Sequence, residues 1–210
     1  MSNLQSIVLG FFLVLTLCAS SCKRDECLYP TGHTFSTKGI HFFPETDSLS
    51  LGDTLWVSFD EPDRFVIANG DSIDFANAAN LGTYLKCSFF NEMGGLEYAI
   101  PYIDFILKKG IVFKDHSADF KLRSYLFDHI GGHYQLSVGM VLKKQGMYFI
   151  SNSDASGVYK MDDPNYCTSS TFLLPISNTD KHIDLLIERT PDRVAELEQY
   201  KDHIYCFFVK

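Results

Sequence analysis

Residues 134–150 read YQLSVGMVLKKQGMYFI. Tyr134, Leu136, Val138, Met140 and Leu142 take alternate positions, the period of a strand with one buried face. Lys143-Lys144-Gln145-Gly146 interrupts that period with turn chemistry, and Met147-Tyr148-Phe149-Ile150 resumes it. The segment therefore reads as a β-hairpin. Gly146-x-Tyr148 at the head of the second strand is similar to a tyrosine corner, in which the phenol hydroxyl bonds back to upstream backbone.

The same period of two recurs along the chain on either side. Gly39-Ile40-His41-Phe42-Phe43 is a strand ended by Pro44. A Gly52-Asp53 turn leads into Thr54–Phe59, where Leu55, Val57 and Phe59 share a face, and Asp60-Glu61-Pro62-Asp63 breaks the run. Asn69-Gly70-Asp71 is a further turn. Tyr84–Phe90, Ile103–Leu107, Phe120–Leu126 and His203–Val209 are further strands. Helical signals are confined to residues 180–201. Asp180 is placed to cap a helix over His182–Glu188, with Ile183, Leu186 and Ile187 on one face, and Thr190-Pro191-Asp192 starts a second helix that runs to Lys201. Many short strands with intervening turns predict an antiparallel immunoglobulin-like β-sandwich over 38–210, with one or two short helices before a final strand; a small β-barrel is the alternative.

Composition narrows the class further. The 210 residues carry a net charge of −8, with 46% apolar and 21% charged side chains, which excludes a disordered chain or a coiled coil. The acidic balance excludes a general nucleic-acid binder, which needs a basic surface.

The first 21 residues hold no charged side chain, and Ile7–Leu17 is an apolar run of 11 residues. A bilayer-spanning helix needs about 20, so the run suits a secretory signal instead. Ala19-Ser20-Ser21-Cys22 follows it and resembles the lipobox of bacterial lipoproteins. That resemblance implies cleavage after Ser21 and a lipid on Cys22. The expected organisation is a signal peptide over 1–21, a lipid-anchored spacer over 22–37 and one domain over 38–210. Lys23-Arg24-Asp25-Glu26 is similar to the charged stretch that promotes surface export in lipoproteins of the Bacteroidota, and reads equally as a solvated spacer.

Removing Cys18 with the signal and Cys22 with the lipid leaves Cys27, Cys87, Cys167 and Cys206. An even number in an exported chain is compatible with two disulfides. Cys167 with Cys206 and Cys27 with Cys87 is the favoured pairing; the other two connectivities stay open. Cys87 also alternates with Leu85 and Phe89, as a small buried hydrophobe would.

Candidate sites are few. Trp56 alternates with Leu55 and Val57, so it points away from their face beside Thr54 and Ser58. An outward indole there is suited to stack on a sugar ring, unless a loop or the helices cover it. His129-Ile130-Gly131-Gly132-His133 has the i,i+4 spacing of a helical zinc pair, but two glycines between the histidines favour a loop. Asp71, Asp74, Asp162 and Asp163 could offer oxygen ligands for calcium, but the EF-hand order is absent and loop acids are usually solvated turn formers. Asp60 and Glu61 are adjacent and would face opposite sides of a strand. No nucleophile elbow, P-loop or H-E-x-x-H motif occurs, so no catalytic residue, metal or cofactor is assigned.

The anchored N-terminus, SLGDTLWVSF (50–59), YQLSVGMVLKKQGMYFI (134–150) and the closing IYCFFVK (204–210) together resemble a group of Bacteroidota cell-envelope lipoproteins. The resemblance implies an outer-membrane location and an immunoglobulin-like domain, and carries no activity. The expected function is a non-enzymatic binding or accessory module for an envelope protein or a glycan. The alternative is a hydrolase with a site assembled from scattered carboxylates and histidines. Each buried CH₂ of an acyl chain contributes about 0.8 kcal/mol, so a multiply acylated Cys22 would hold the domain on a membrane. Mass analysis of the mature chain should find it beginning at an acylated Cys22, and Cys22→Ser should move it to the soluble fraction; unchanged membrane retention of that variant would refute the anchor.

Overall fold

The computed structural model describes residues 29–66, 72–75, 81–91, 95–115, 122–160 and 166–210. The expected signal (1–21), Cys22, Cys27, the Asn69-Gly70-Asp71 turn, Asp162 and Asp163 lie outside the described residues. In chain order the strands are β1 (Tyr29–Ser36), β2 (His41–Phe43), β3 (Ser48–Leu49), β4 (Thr54–Pro62), β5 (Arg64–Val66), β6 (Ser72–Asp74), β7 (Gly82–Phe90), β8 (Leu96–Tyr98) and β9 (Ile103–Lys109). They continue as β10 (Ile111–Asp115), β11 (Arg123–Leu126), β12 (Asp128–Ile130), β13 (His133–Leu142), β14 (Gly146–Asn152), β15 (Ala155–Lys160), β16 (Tyr166–Leu173) and β17 (Ile204–Val209). Helices α1 (Ile183–Arg189) and α2 (Val194–Tyr200) precede the last strand.

Two sheets carry the fold. A seven-stranded sheet runs β10-β11-β7-β14-β17-β3, with β8 also on β7; a five-stranded sheet runs β12-β13-β4-β2, with β9 also on β13. Smaller sheets are β1-β16-β15 and β5-β6. Pairing is antiparallel except for β1 with β16 and β17 with β3. The result is a mainly β, layered sandwich and not a closed barrel. Alternation explains the layers: Leu55, Val57 and Phe59 of β4 and Leu136, Val138 and Met140 of β13 are buried against Leu85, Cys87 and Phe89 of β7 and Tyr148 and Ile150 of β14.

Aromatic rings join the two sheets. Phe42 of β2 stacks on Tyr205 of β17 at 4.6 Å, with an interplanar angle of 1°. Tyr205 meets Phe207, Phe207 stacks on Tyr148, Tyr148 on Phe89, and Phe89 packs edge-on to Tyr102. Phe35, Phe65, Phe75 and Phe172 form a second cluster that ties the two smaller sheets to the same core. At the edge of β2, Asn178 imitates a neighbouring strand. Its Oδ1 accepts from the Phe42 N–H at 2.8 Å and its Nδ2 donates to the Phe42 carbonyl at 2.7 Å.

The segment 134–150 departs from its expectation in one respect. Both strands form, but they do not pair with each other: β13 lies in the five-stranded sheet and β14 in the seven-stranded one. The three residues 143–145 carry the chain from one sheet to the other. A turn between two strands that each bury one face suits an arch over a core as well as a hairpin within a sheet, and alternation does not distinguish them. The tyrosine corner does form at this crossing, where the Tyr148 hydroxyl donates to the Lys144 carbonyl at 2.8 Å.

Other expectations need correction. The 22–37 spacer contributes β1, which pairs in parallel with β16 from far along the chain. Thr190 does not cap the second helix. Its hydroxyl donates to the Leu186 carbonyl at 2.8 Å and closes α1 instead, and Pro191–Arg193 is a 3-10 turn before α2. Cys87 and Cys206 are both free, buried thiols, while Cys27 and the Cys167 side chain, their expected partners, lie outside the described residues. The pleat accounts for their separation: Cys87 packs in the central core, Cys206 under the helices on the opposite face of the same sheet. Among the described residues no helix is long and apolar enough to cross a membrane.

The helices form a partial third layer. Leu186 of α1 and Leu197 of α2 pack on the outer face of the seven-stranded sheet against Phe90, Met147, Ile204 and Cys206, with Ile183 and Ile187 alongside. This layer explains why β17 is buried on both faces. Burial pushes the Cys87 thiol up to about 12, although Arg123 pulls the other way, and it pushes Cys206 up as well. Neither thiol should react with a maleimide at pH 8 until the chain unfolds. Phe42→Ala should cost about 3–5 kcal/mol by denaturant unfolding, and Phe43→Ala, at a position 62% exposed, within about 0.5 kcal/mol.

Candidate functional site

The structure separates the residues singled out from the sequence. Trp56 does point outward from the five-stranded sheet, in a row that runs Phe43, Trp56, Gly139 and Ile106 across β2, β4, β13 and β9. The edge of the indole lies over Gly139, where an added Cβ would sit 3.0 Å from two of its ring carbons. The Lys108 ammonium stands 3.8 Å over the ring. Stacking on Trp56 therefore competes with an existing cation–π contact, which is worth about 0.5–1 kcal/mol when exposed.

The two glycines between the histidines form a two-residue hairpin turn joining β12 to β13, with φ of +60° and +79°. Positive φ at both central residues is what such a turn requires, and glycine meets it without a side-chain clash. Opposite residues share a face, so His129 sits with Tyr134 and His133 with Ile130. Successive residues of β12 alternate, so the two imidazoles point to different sides and do not converge on a metal. Each instead meets a carboxylate from the end of β4 and just beyond it: His129 Nε2 lies 2.8 Å from Asp63 and His133 Nδ1 2.7 Å from Asp60. Asp60 and Glu61 do face opposite sides; Asp60 is exposed, and buried Glu61 accepts from the Lys38 N–H. Asp74 lies on β6. Among the described residues no three His, Cys, Asp or Glu are grouped to hold a metal ion.

A cavity among the described residues lies elsewhere, on the outer face of the seven-stranded sheet where the helical layer stops. It encloses about 560 Å³ between the strands β7, β8 and β14 and helix α2. That is within the range of small-ligand clefts. Its floor follows from register: Tyr98, Ser88 and Phe149 lie abreast on β8, β7 and β14, and Lys86 lies opposite Ser151. Tyr84 and Tyr98 on one side and Tyr200 of α2 on the other are each partly exposed at the rim.

The cleft contains polar groups that the protein does not satisfy. Ser88 is only 1% exposed, lines the cleft, and its hydroxyl has no hydrogen-bond partner among the described residues; the Ser151 hydroxyl has none either. His203, in the 3-10 turn before β17, also lines it. Its Nδ1 is buried without a partner, and its Nε2 lies 3.9 Å from Asp154. Of these three groups His203 Nδ1 is the one that is both buried and unpaired; such a group costs about 1–3 kcal/mol, which an occupant of the cleft would relieve. The charged lining is mostly neutralised internally. Arg193 forks onto Glu196 at 2.6 and 3.0 Å and holds its carboxyl below the usual range, and Glu97 accepts from Asn91 at 2.7 Å beside Lys144 at 3.6 Å. Lys86 carries no ion pair among the described residues.

These residues were missed in the sequence. Ser88 and Ser151 look like ordinary outward positions of alternating strands, and only the packing of α2 over that face makes them a floor. The one available signal was β17, IYCFFV, whose apolar residues on both faces require a covering layer on the outer side of the sheet.

No protein-family model and no curated protein matches the chain. A solved structure to which it is similar is a family 123 glycoside hydrolase from Clostridium perfringens, at 12% identity with a TM-score of 0.27. The match covers 81% of this chain and 32% of the enzyme, so the chain spans about a third of that protein's length. A superposition this loose carries no argument about activity.

Trp56 is the chain's single tryptophan, so its emission reports on the five-stranded face alone. Gly139→Ala should push the ring outward and red-shift the emission; an unchanged spectrum would contradict the ring's position over Gly139.

Proposed function

We propose that the protein is an outer-membrane lipoprotein, anchored through Cys22, whose β-sandwich serves as a non-enzymatic binding or accessory module for an envelope protein or glycan. The observation that carries this reading is the cleft beside α2, with Ser88, Ser151 and His203 unpaired among aromatic walls. A lipid tether removes translational freedom from the domain, so even a weak site engages a partner in the same membrane at raised effective concentration. The second reading is a hydrolase. It draws on one contact, the imidazole of His203, which lines the cleft, with the Asp154 carboxylate outside the lining at 3.9 Å from its Nε2.

Hydrogen exchange on the mature chain, with protein and polysaccharide fractions of the envelope added separately, separates the two. The binding reading expects slowed exchange in β7, β14 and α2 with one fraction, and no product. Product released by the wild type and lost in His203→Gln would establish the hydrolase instead; no protection with either fraction would end the binding reading.

A further inference from the structure

We propose that the cleft between the seven-stranded sheet and α2 is a carbohydrate site that takes one or two hydroxyl-rich sugar rings; this rests on the binding reading above and names its ligand class. The chemistry of the unpaired groups points to that class. Ser88 and Ser151 carry hydroxyls, each a donor and an acceptor at once, and the His203 imidazole offers either role according to its tautomer. Their complement is a ligand whose own groups both donate and accept, and this is what a sugar hydroxyl does. A carboxylate or phosphate only accepts, and would need more positive charge than the cleft supplies. Arg193 is occupied by Glu196, and Lys86 is the one lining cation without an ion pair among the described residues.

The walls complete the match. Tyr84, Tyr98 and Tyr200 present ring surface at the mouth, each with an apolar face for the C–H side of a sugar, and Tyr84 and Tyr200 add a hydroxyl for its polar edge. The floor is flat because it is a sheet: Tyr98, Ser88 and Phe149 stand side by side on adjacent strands, about 4.8 Å apart. A ring laid across these strands meets an aromatic surface at each end and the hydroxyl of Ser88 between them. An extended peptide would be read by free backbone groups at a sheet edge. Here β7 and β14 are both interior strands, with their backbone already paired on either side, so side chains must do the recognition.

The test is isothermal titration of the mature chain with a panel of hexasaccharides of glucose, xylose, mannose and galacturonic acid, and with envelope polysaccharide. At least one probe should bind the wild type. Tyr200→Ala should weaken it about tenfold and Ser151→Trp, which fills the floor, at least about a hundredfold. Both positions are solvent-accessible, and thermal unfolding of each variant verifies that it folds. The inference is overturned if no sugar probe binds, if Ser151→Trp binds as the wild type does, or if Trp56→Ala abolishes binding while Ser151→Trp does not, which would move the site to the opposite sheet. Absence of sugar binding with protection by the protein fraction would remove the ligand class and leave the binding reading standing; absence of both would remove both.

Discussion

The stacked rings between the sheets are the contact on which the rest of the structure depends. Phe42 reaches from the five-stranded sheet to Tyr205 of the seven-stranded one, and Phe207, Tyr148, Phe89 and Tyr102 continue the row. Each ring buries a large apolar surface, and each well-oriented pair adds about 0.5–1.5 kcal/mol beyond that burial. Phe42 sits on a three-residue edge strand with little pairing of its own. Asn178 supplies the missing backbone partners, so the ring that bridges the layers is held by a buried amide as well as by β4.

The same row explains where the helices go. Tyr205, Phe207 and Val209 turn inward to it, which leaves Ile204, Cys206 and Phe208 on the outer side of β17. Those apolar residues require a cover, and α1 and α2 provide it. The cover stops part-way across β7. Ser88 and Phe90 lie under it while Tyr84 and Lys86 remain open to solvent. The cleft is the step between the covered and the uncovered halves of one strand, so the demand for core burial at the C-terminus creates a recess over the middle of the sheet. Its position on interior strands makes it rigid, which suits recognition by fixed side chains.

The molecule therefore presents two unlike outer faces. The five-stranded sheet carries Trp56 capped by Lys108 in a shallow row with Phe43 and Ile106. The seven-stranded sheet carries a walled recess with unpaired polar groups at its base. A flat row of rings with a cation on it is already satisfied, whereas the recess holds polar atoms whose hydrogen bonds are unmade. That difference favours the recess as the place where an occupant gains most.

Alternation along the chain was enough to determine which residues turn inward: Leu55, Val57 and Phe59; Leu136, Val138 and Met140; Tyr148 and Ile150. It also sufficed for the outward Trp56, the opposed Asp60 and Glu61, the apolar face of α1 and the tyrosine corner, because each follows from the geometry of one strand or one turn. The partner of each strand was decided only by the tertiary structure. Residues 143–145 cross between sheets, β1 pairs with β16 across most of the chain, and Cys87 and Cys206 fall on opposite faces of one sheet. The recess was decided in the same way, since Ser88, Ser151, Tyr200 and His203 meet only when α2 docks. Period and turn chemistry act between neighbours in the chain, while pairing and docking are settled by the burial of surfaces distant in sequence, and no local pattern encodes that choice.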